Sequence, residues 1–133
     1  MHMIIIDSHT HLGDFPLFNV KLDAEGMIEI MDRHSISWSV VSSLPNEITL
    51  EAVKKHPDRL VGLLWVNPYE GDRAVEKIRV AVEKWGFRGL KMHPLLDSYL
   101  PDQPVIYPVM DEAAKRRIPI LFHCGHPPWS LPW

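Results

Sequence analysis

The sequence predicts an α/β protein in which short parallel strands alternate with helices. Five short apolar runs are rich in β-branched residues, and most are ended by proline or by polar residues. Several of the segments between these runs repeat apolar residues at the spacing of an amphipathic helix. Strands that are almost continuously apolar are typical of a parallel sheet covered by helices. A length of 133 residues suits one domain with its own core.

The predicted strands and helices follow one another in strict alternation. The first strand is the Ile4-Ile5-Ile6 run, and the third predicted strand is the most hydrophobic. Asp23 is the expected N-cap of the first helix, and Gly86 closes the third. The predicted strands cover residues 4–6, 36–42, 60–66, 87–93 and 118–123. The predicted helices cover residues 23–34, 50–56, 72–85 and 107–117.

The alternation stops at the fifth strand, with no helix predicted after it. An open five-stranded domain normally closes with such a helix, whereas a barrel of eight β/α units needs about 250 residues. The pattern therefore matches the first five-eighths of a longer α/β architecture. We expect residues 1–133 to form a single incomplete domain.

Composition excludes several classes of partner. The chain has 14 Lys plus Arg against 17 Asp plus Glu, a net charge of −3, so it lacks a basic surface for nucleic acid. No apolar run approaches the roughly 20 residues of a membrane span, and the start does not resemble a signal peptide. Cys124 is the single cysteine, which fits a reduced, cytoplasmic location. We expect its side chain to face the helices and to be buried.

Histidines follow three of the five predicted strands. His9 and His11 follow the first, His93 ends the fourth, and His123 ends the fifth. The carboxyl ends of parallel strands meet at one edge of a sheet, where functional groups gather in such folds. A His-x-His pair alone is a weak signal, but three histidine-bearing strand ends on one edge predict a functional site.

The first two histidines predict a metal site. Side chains alternate faces along a strand, so His9 and His11 point the same way and can reach one cation. His123 is the expected third ligand. Three imidazoles favour Zn²⁺ or another first-row ion such as Mn, Fe or Co over Mg²⁺ or Ca²⁺. An open fourth position would hold a water molecule whose pKa is lowered towards about 7.

Lys91 and His93 share a strand face by the same alternation. Either side chain could point at the metal or at an anionic substrate, and we take both as candidate catalytic residues. The alternative for Lys91 is an ion pair with a neighbouring carboxylate at the sheet edge. His126, just beyond the fifth strand, is a candidate for substrate binding.

Three segments resemble the amidohydrolase superfamily, and within it the decarboxylase-type branch called amidohydrolase 2. They are Ile-Asp-Ser-His-Thr-His at residues 6–11, Gly-Phe-Arg-Gly-Leu-Lys-Met-His-Pro at 86–94, and Ile-Pro-Ile-Leu-Phe-His-Cys-Gly-His at 118–126. The resemblance covers nearly the whole chain. It implies a partial TIM (β/α)₈-like barrel of about five parallel strands and four helices, without strands six to eight. It also implies a mononuclear divalent site with His9, His11 and His123 as ligands.

The resemblance implies a metal-dependent hydrolase or decarboxylase of a small carboxylate or amide-type substrate. Family members carry a later His and a later Asp that supply proton transfer, which is worth roughly 10²–10⁴ in rate. This sequence ends before both. We therefore expect a fragment of a longer protein, a short form that pairs with a second copy, or a degenerate member that is not catalytic.

An unclosed parallel sheet exposes strand edges, so we expect a homodimer or a larger homo-oligomer. Trp129 and Trp133 are candidate contact residues. A non-catalytic oligomerising scaffold is the main alternative function. An open flavodoxin-like binding domain is the other alternative, but it would need a glycine-rich phosphate loop after the first strand, and Asp-Ser-His-Thr-His stands there instead.

Overall fold

The computed structural model describes residues 3–125, and its elements follow the predicted alternation. The strands are β1 (Ile6–Thr10), β2 (Gly13–Phe15), β3 (Val20–Leu22), β4 (Trp38–Val41), β5 (Leu60–Trp65), β6 (Gly89–Met92) and β7 (Ile120–Phe122). The helices are α1 (Ala24–Arg33), α2 (Asn46–Lys55), α3 (Asp72–Glu83), α4 (Pro94–Asp97) and α5 (Tyr107–Arg116).

Five strands form one parallel sheet in the order β1-β4-β5-β6-β7. The sheet is curled like part of a barrel, so the α/β, partial TIM-barrel-like prediction is confirmed. Strands β2 and β3 form a separate antiparallel hairpin between β1 and α1. None of the helices within residues 3–125 has the length and apolar character needed to cross a membrane.

The two faces of the main sheet differ sharply in exposure. Val41, Leu64, Leu90 and Met92 lie against the helices and are almost completely buried. The opposite face, called here the concave face, is only partly covered. Its side chains come from register partners on neighbouring strands and are those of Ile6, Trp38, Val40, Val61, Leu63, Trp65, Lys91 and Leu121.

A β-bulge in β1 determines where the first two histidines point. Asp7 pairs with Ser39 and Thr10 pairs with Val41, so β1 has one more residue than β4 between these pairs. An extra residue inverts the alternation of side chains beyond it. Ile6 lies on the concave face, and without the bulge His9 would lie on the helix-covered face. The bulge therefore turns His9 and His11 into the interior of the curled sheet.

Several boundaries differ from those predicted. Helix α2 begins at Asn46, earlier than the predicted residue 50, because its first turn is fixed by tertiary contacts. The Asn46 side chain bonds both the N–H and the carbonyl of Trp65, and Thr49 Oγ1 accepts from the Ser43 N–H. The hairpin β2–β3 and the one-turn helix α4 lie where loops were predicted, so the described helices number five rather than four.

The prediction for Cys124 is wrong. Its side chain is exposed, whereas we expected it to be buried against the helices. The expectation extended the strand alternation to residue 124, but β7 ends at Phe122. Beyond that point the chain leaves the sheet, and the period of two no longer fixes the direction of a side chain.

Candidate functional site

His9 and His11 lie side by side at the carboxyl end of β1. Their ring centroids are 4.9 Å apart at an interplanar angle of 78°. Nδ1 of His11 is hydrogen-bonded to the Ser42 carbonyl oxygen, which can only accept, so Nδ1 carries the hydrogen. The lone pair of the neutral ring is then on Nε2. A carbonyl that holds the second ring nitrogen in this way is a common feature of metal-ligating histidines.

Lys91 is completely buried on the concave face beside these histidines. Its Nζ lies 3.0 Å from Nε2 of His9, and its side chain also approaches the Trp65 ring at 6.0 Å. None of the ion pairs among residues 3–125 includes Lys91, so the alternative of a carboxylate partner gains no support there. Burial lowers the pKa of Lys91 from its ordinary value. Lys91 thus places an amine at the centre of the histidine cluster.

His93 and His123 follow adjacent strands and stack on each other. Their ring centroids are 3.9 Å apart and their planes differ by 11°. Trp65 covers the other face of His93, with centroids 5.5 Å apart and planes differing by 5°. Trp65 was absent from the predicted site, although its position at the end of β5 marks the same sheet edge. The three rings form a column that is called here the Trp65–His93–His123 stack.

The environment keeps His9, His11 and His93 uncharged near neutral pH. Burial is the largest cause that lowers the pKa of His9, His11 and His93, and the neighbouring Lys91 and histidines lower it further. For His93 the pKa falls to about 4. Neutral imidazole is the form that binds a metal ion.

The donor chemistry of the site fits a divalent first-row metal. His123 Nε2 is buried and has no hydrogen-bond partner among the described residues, which is an unusual state for a polar atom. His11 has the lone pair of its neutral ring on Nε2, whereas Nε2 of His9 contacts Lys91 Nζ at 3.0 Å. These donors are suitable in kind, but their spacing is wider than that of ligands around one ion. Within residues 3–125, no three His, Cys, Asp or Glu side chains are close enough to surround one ion. The ligand set His9, His11 and His123 stays a prediction.

A small apolar pocket adjoins His11. Its volume is about 220 Å³, and Phe15, Leu44, Ile48 and Trp65 line it together with His11. A larger cavity of about 740 Å³ lies at the opposite, amino-terminal end of the sheet. The smaller pocket is the one beside the predicted chemistry, so it is the better candidate for a substrate side group. His126, Trp129 and Trp133 lie outside the described residues.

A comparison with protein families identifies the family of this chain. The family model described as Amidohydrolase matches residues 6–132. The chain belongs to this amidohydrolase family. No curated protein matches the chain.

Solved structures with the same fold include decarboxylases and a hydratase. One is 5-carboxyvanillate decarboxylase from Novosphingobium aromaticivorans with bound manganese, at 15% identity and a TM-score of 0.78; the match covers 90% of this chain and 50% of that one. Another is 2,6-dihydroxybenzoate decarboxylase from Rhizobium, at 20% identity and a TM-score of 0.77, covering 95% and 51%. A third is 4-oxalomesaconate hydratase from Rhodopseudomonas palustris, at 16% identity and a TM-score of 0.70, covering 90% and 52%.

These similarities establish the fold of the amidohydrolase chain. The chain spans about half the length of the solved structures that it matches. The activity, substrates and partners of a whole protein are therefore matters of proposal.

Proposed function

We propose that this amidohydrolase chain contributes to a metal-dependent hydrolase or decarboxylase that acts on a small carboxylate or amide-type substrate. The observation that carries the proposal is the cluster at the carboxyl edge of the sheet. His9 and His11 at the end of β1 and His123 at the end of β7 lie at that edge with the buried Lys91, whose Nζ is 3.0 Å from His9 Nε2. The family match and the decarboxylase and hydratase structures with the same fold support the same reaction class.

The proposed ligands are His9, His11 and His123. When bound, a divalent ion would polarise a substrate oxygen and lower the pKa of a bound water molecule. The ion we expect is zinc, with manganese, iron or cobalt as alternatives; manganese is the ion in the Novosphingobium decarboxylase. The Ser42 carbonyl fixes the tautomer of His11 in the orientation that this role requires.

The chain's other residues bind and orient the substrate. Lys91 supplies a positive or hydrogen-donating group in a water-poor setting, where it can hold a substrate carboxylate. The neutral His93 donates through Nε2, because its Nδ1 accepts from the Leu96 N–H. The pocket beside His11 excludes water from an apolar substrate group. His126 stays a candidate for substrate binding, and a cytoplasmic location stays part of the proposal on the strength of the single cysteine.

Metal binding by the purified chain tests the proposal. The chain is loaded with Zn²⁺ or Mn²⁺, freed of excess ion and analysed for bound metal. We expect close to one equivalent in the parent, and less than about 0.1 equivalent after His9→Ala plus His11→Ala or after His123→Ala. His34→Ala is the matched control, because His34 is an exposed histidine at the end of α1. Equal metal content in the parent and the double variant would overturn the proposal.

A non-catalytic oligomerising scaffold is the second candidate function. The partly exposed concave face favours it, because a sheet face of this kind normally packs against another layer. Size-exclusion chromatography combined with a decarboxylase and esterase screen separates the two functions. An oligomer without chelator-sensitive activity and without bound metal favours the scaffold.

A further inference from the structure

The Trp65–His93–His123 stack is made from residues at the carboxyl ends of three neighbouring strands. Lys91 pairs with both Trp65 and Leu121 in the sheet register, so His93 and His123 lie two residues beyond paired positions. His123 N–H is bonded to the Met92 carbonyl oxygen at 2.9 Å, which continues that register past the end of β7. The two imidazoles are therefore cross-strand neighbours, and a flat contact between them follows from the backbone.

His93 is held in place from its own side. Its Nδ1 accepts from the Leu96 N–H at 3.2 Å and so caps the one-turn helix α4. The side chain is only 8% exposed. Because Nδ1 is used by the cap, the neutral ring has its hydrogen on Nε2, and neither nitrogen is available as a metal ligand. The ring of His93 is thus a fixed plane rather than a candidate ligand.

Trp65 is fixed through its backbone as well as through its ring. The Asn46 amide nitrogen donates to the Trp65 carbonyl at 2.9 Å, and the Trp65 N–H donates to Asn46 Oδ1 at 2.8 Å. This pair of bonds from a helix side chain fixes the end of β5, just where the indole leans over His93. Both faces of the His93 ring are therefore covered, one by the indole and the other by His123.

We propose that Trp65 and His93 are positioning residues that set the ring plane of His123 and hold its Nε2, which has no partner within residues 3–125, in the interior of the curled sheet. The inference rests on the proposed function where it concerns metal binding. It adds that a tryptophan and a non-ligating histidine determine how well the third proposed ligand is presented. Partners of this kind around a metal-binding histidine typically change metal affinity by 10–100-fold.

Paired substitutions separate the stack from the helix cap. His93→Asn keeps an acceptor for the Leu96 N–H and removes the ring, whereas His93→Phe keeps a ring and removes the acceptor. Trp65→Leu and Trp65→Phe form a second pair that removes or retains an aromatic plane without touching the cap. Zinc affinity is measured by competition with a chromophoric chelator. The His123 ring-proton resonances are recorded by NMR in the metal-free proteins, and thermal unfolding identifies any variant that does not fold.

We expect His93→Asn and Trp65→Leu to weaken zinc binding about tenfold and to move the His123 ring resonances. His93→Phe and Trp65→Phe should stay within about threefold of the parent. Parental affinity and resonances in folded His93→Asn, or equal losses in both members of each pair, would overturn the inference. If His93→Asn fails to fold, the Trp65 pair gives the same decision. A parent chain that binds no zinc defeats the proposed function alone, because the metal-free resonances still test the stack.

Discussion

Lys91 is a single residue whose surroundings are unusual for a charged group. It is fully buried, its Nζ lies 3.0 Å from His9 Nε2, and burial lowers its pKa. Burying an amine without a carboxylate partner costs free energy. A residue kept under these conditions points to a role in binding or chemistry rather than in stability.

Replacing Lys91 by methionine should therefore not destabilise the fold. Methionine has a similar length and no charge to desolvate, so we expect the free energy of unfolding to stay unchanged or to rise by about 1 kcal/mol. Urea unfolding measures the change, with Lys84→Met at an exposed position as the control. A loss of more than about 1 kcal/mol in Lys91→Met alone would contradict this interpretation.

His93 gives the chain a predictable response to acid. Burial first, and then His123 and Lys91, lower its pKa from 6.5 to about 4. Between these values the unfolded chain binds a proton that the folded chain does not, so this contribution to stability is lost as the pH falls from 6.5 towards 4. The expected loss is roughly 1–3 kcal/mol.

The comparison with His93→Asn isolates this contribution, because the variant has no imidazole to titrate. Urea unfolding at several pH values between 7.5 and 4.5 should show the wild type losing stability faster than the variant as the pH falls. Parallel pH profiles for the two proteins would show that the His93 pKa is not depressed.

Strand alternation predicted which side chains share the sheet edge, but it missed a neighbour that packs against them. Strand alternation placed Lys91 and His93 near the first two histidines, and the structure brings these side chains together. Trp65 was missed, because a tryptophan at the end of an apolar strand looks like an ordinary core residue. Its stacking depends on the direction in which the ring leans, and no sequence period encodes that direction.

Among the helices, α3 and α5 are joined by an ion-pair cluster around one buried carboxylate. Glu112 is 5% exposed, and its Oε1 accepts from Arg116 Nε at 2.7 Å and from Arg79 Nε at 3.3 Å. Arg116 also bonds Glu83 on α3 at 2.8 Å. The hydrogen bond from Arg116 is the main cause that lowers the pKa of Glu112. Charge-assisted bonds of this geometry hold two helices in a fixed relation.

Glu112→Gln should destabilise the chain by about 1–3 kcal/mol, because it removes a charged acceptor from a buried position. Glu76→Gln is the matched control, since Glu76 pairs with the same Arg79 at 3.7 Å but is mostly exposed. Its effect should stay within about 0.5 kcal/mol. Chemical denaturation gives both values, and equal effects would show that burial of the carboxylate does not matter.

Element boundaries were predictable where the signal is local and unpredictable where it is tertiary. Asp23 caps α1 as predicted, with its side chain accepting from the Gly26 N–H at 2.8 Å. The start of α2 was missed because Asn46 and Thr49 bond to distant or preceding backbone rather than to their own helix. The register of β1 was also beyond prediction, since nothing in Asp7-Ser8-His9 signals a bulge.

In the molecule as a whole, helices cover one face of the sheet, whereas the concave face is only partly covered. Val40 and Val61 remain partly exposed there, and β1 and β7 each pair with one neighbour in the described sheet. Apolar surface and unpaired strand edges favour association. The alternation of elements predicted this layout, because a parallel sheet follows from strands and helices in turn.

We therefore expect the isolated chain to form a homodimer or a larger homo-oligomer. Sedimentation velocity should give a mass at least twice the 15.4 kDa of the monomer. Val40→Asp, which places a charge on the concave face, should shift the population towards monomer, whereas Lys84→Asp at an exposed position on the helix side should not. A monomer at every concentration tested would refute the expectation.

The bulge in β1 has a consequence for how this edge of the sheet can vary. The extra residue divides β1 into two parts with opposite alternation of side chains. Ile6 lies on the concave face in the first part, and His9 lies on that face in the second. Deleting one residue between Ile6 and His9 would turn the two imidazoles onto the helix-covered face, while the rest of the sheet would keep its register. Evolution or design can thus redirect the histidine pair by a change in chain length alone, without altering a single ring.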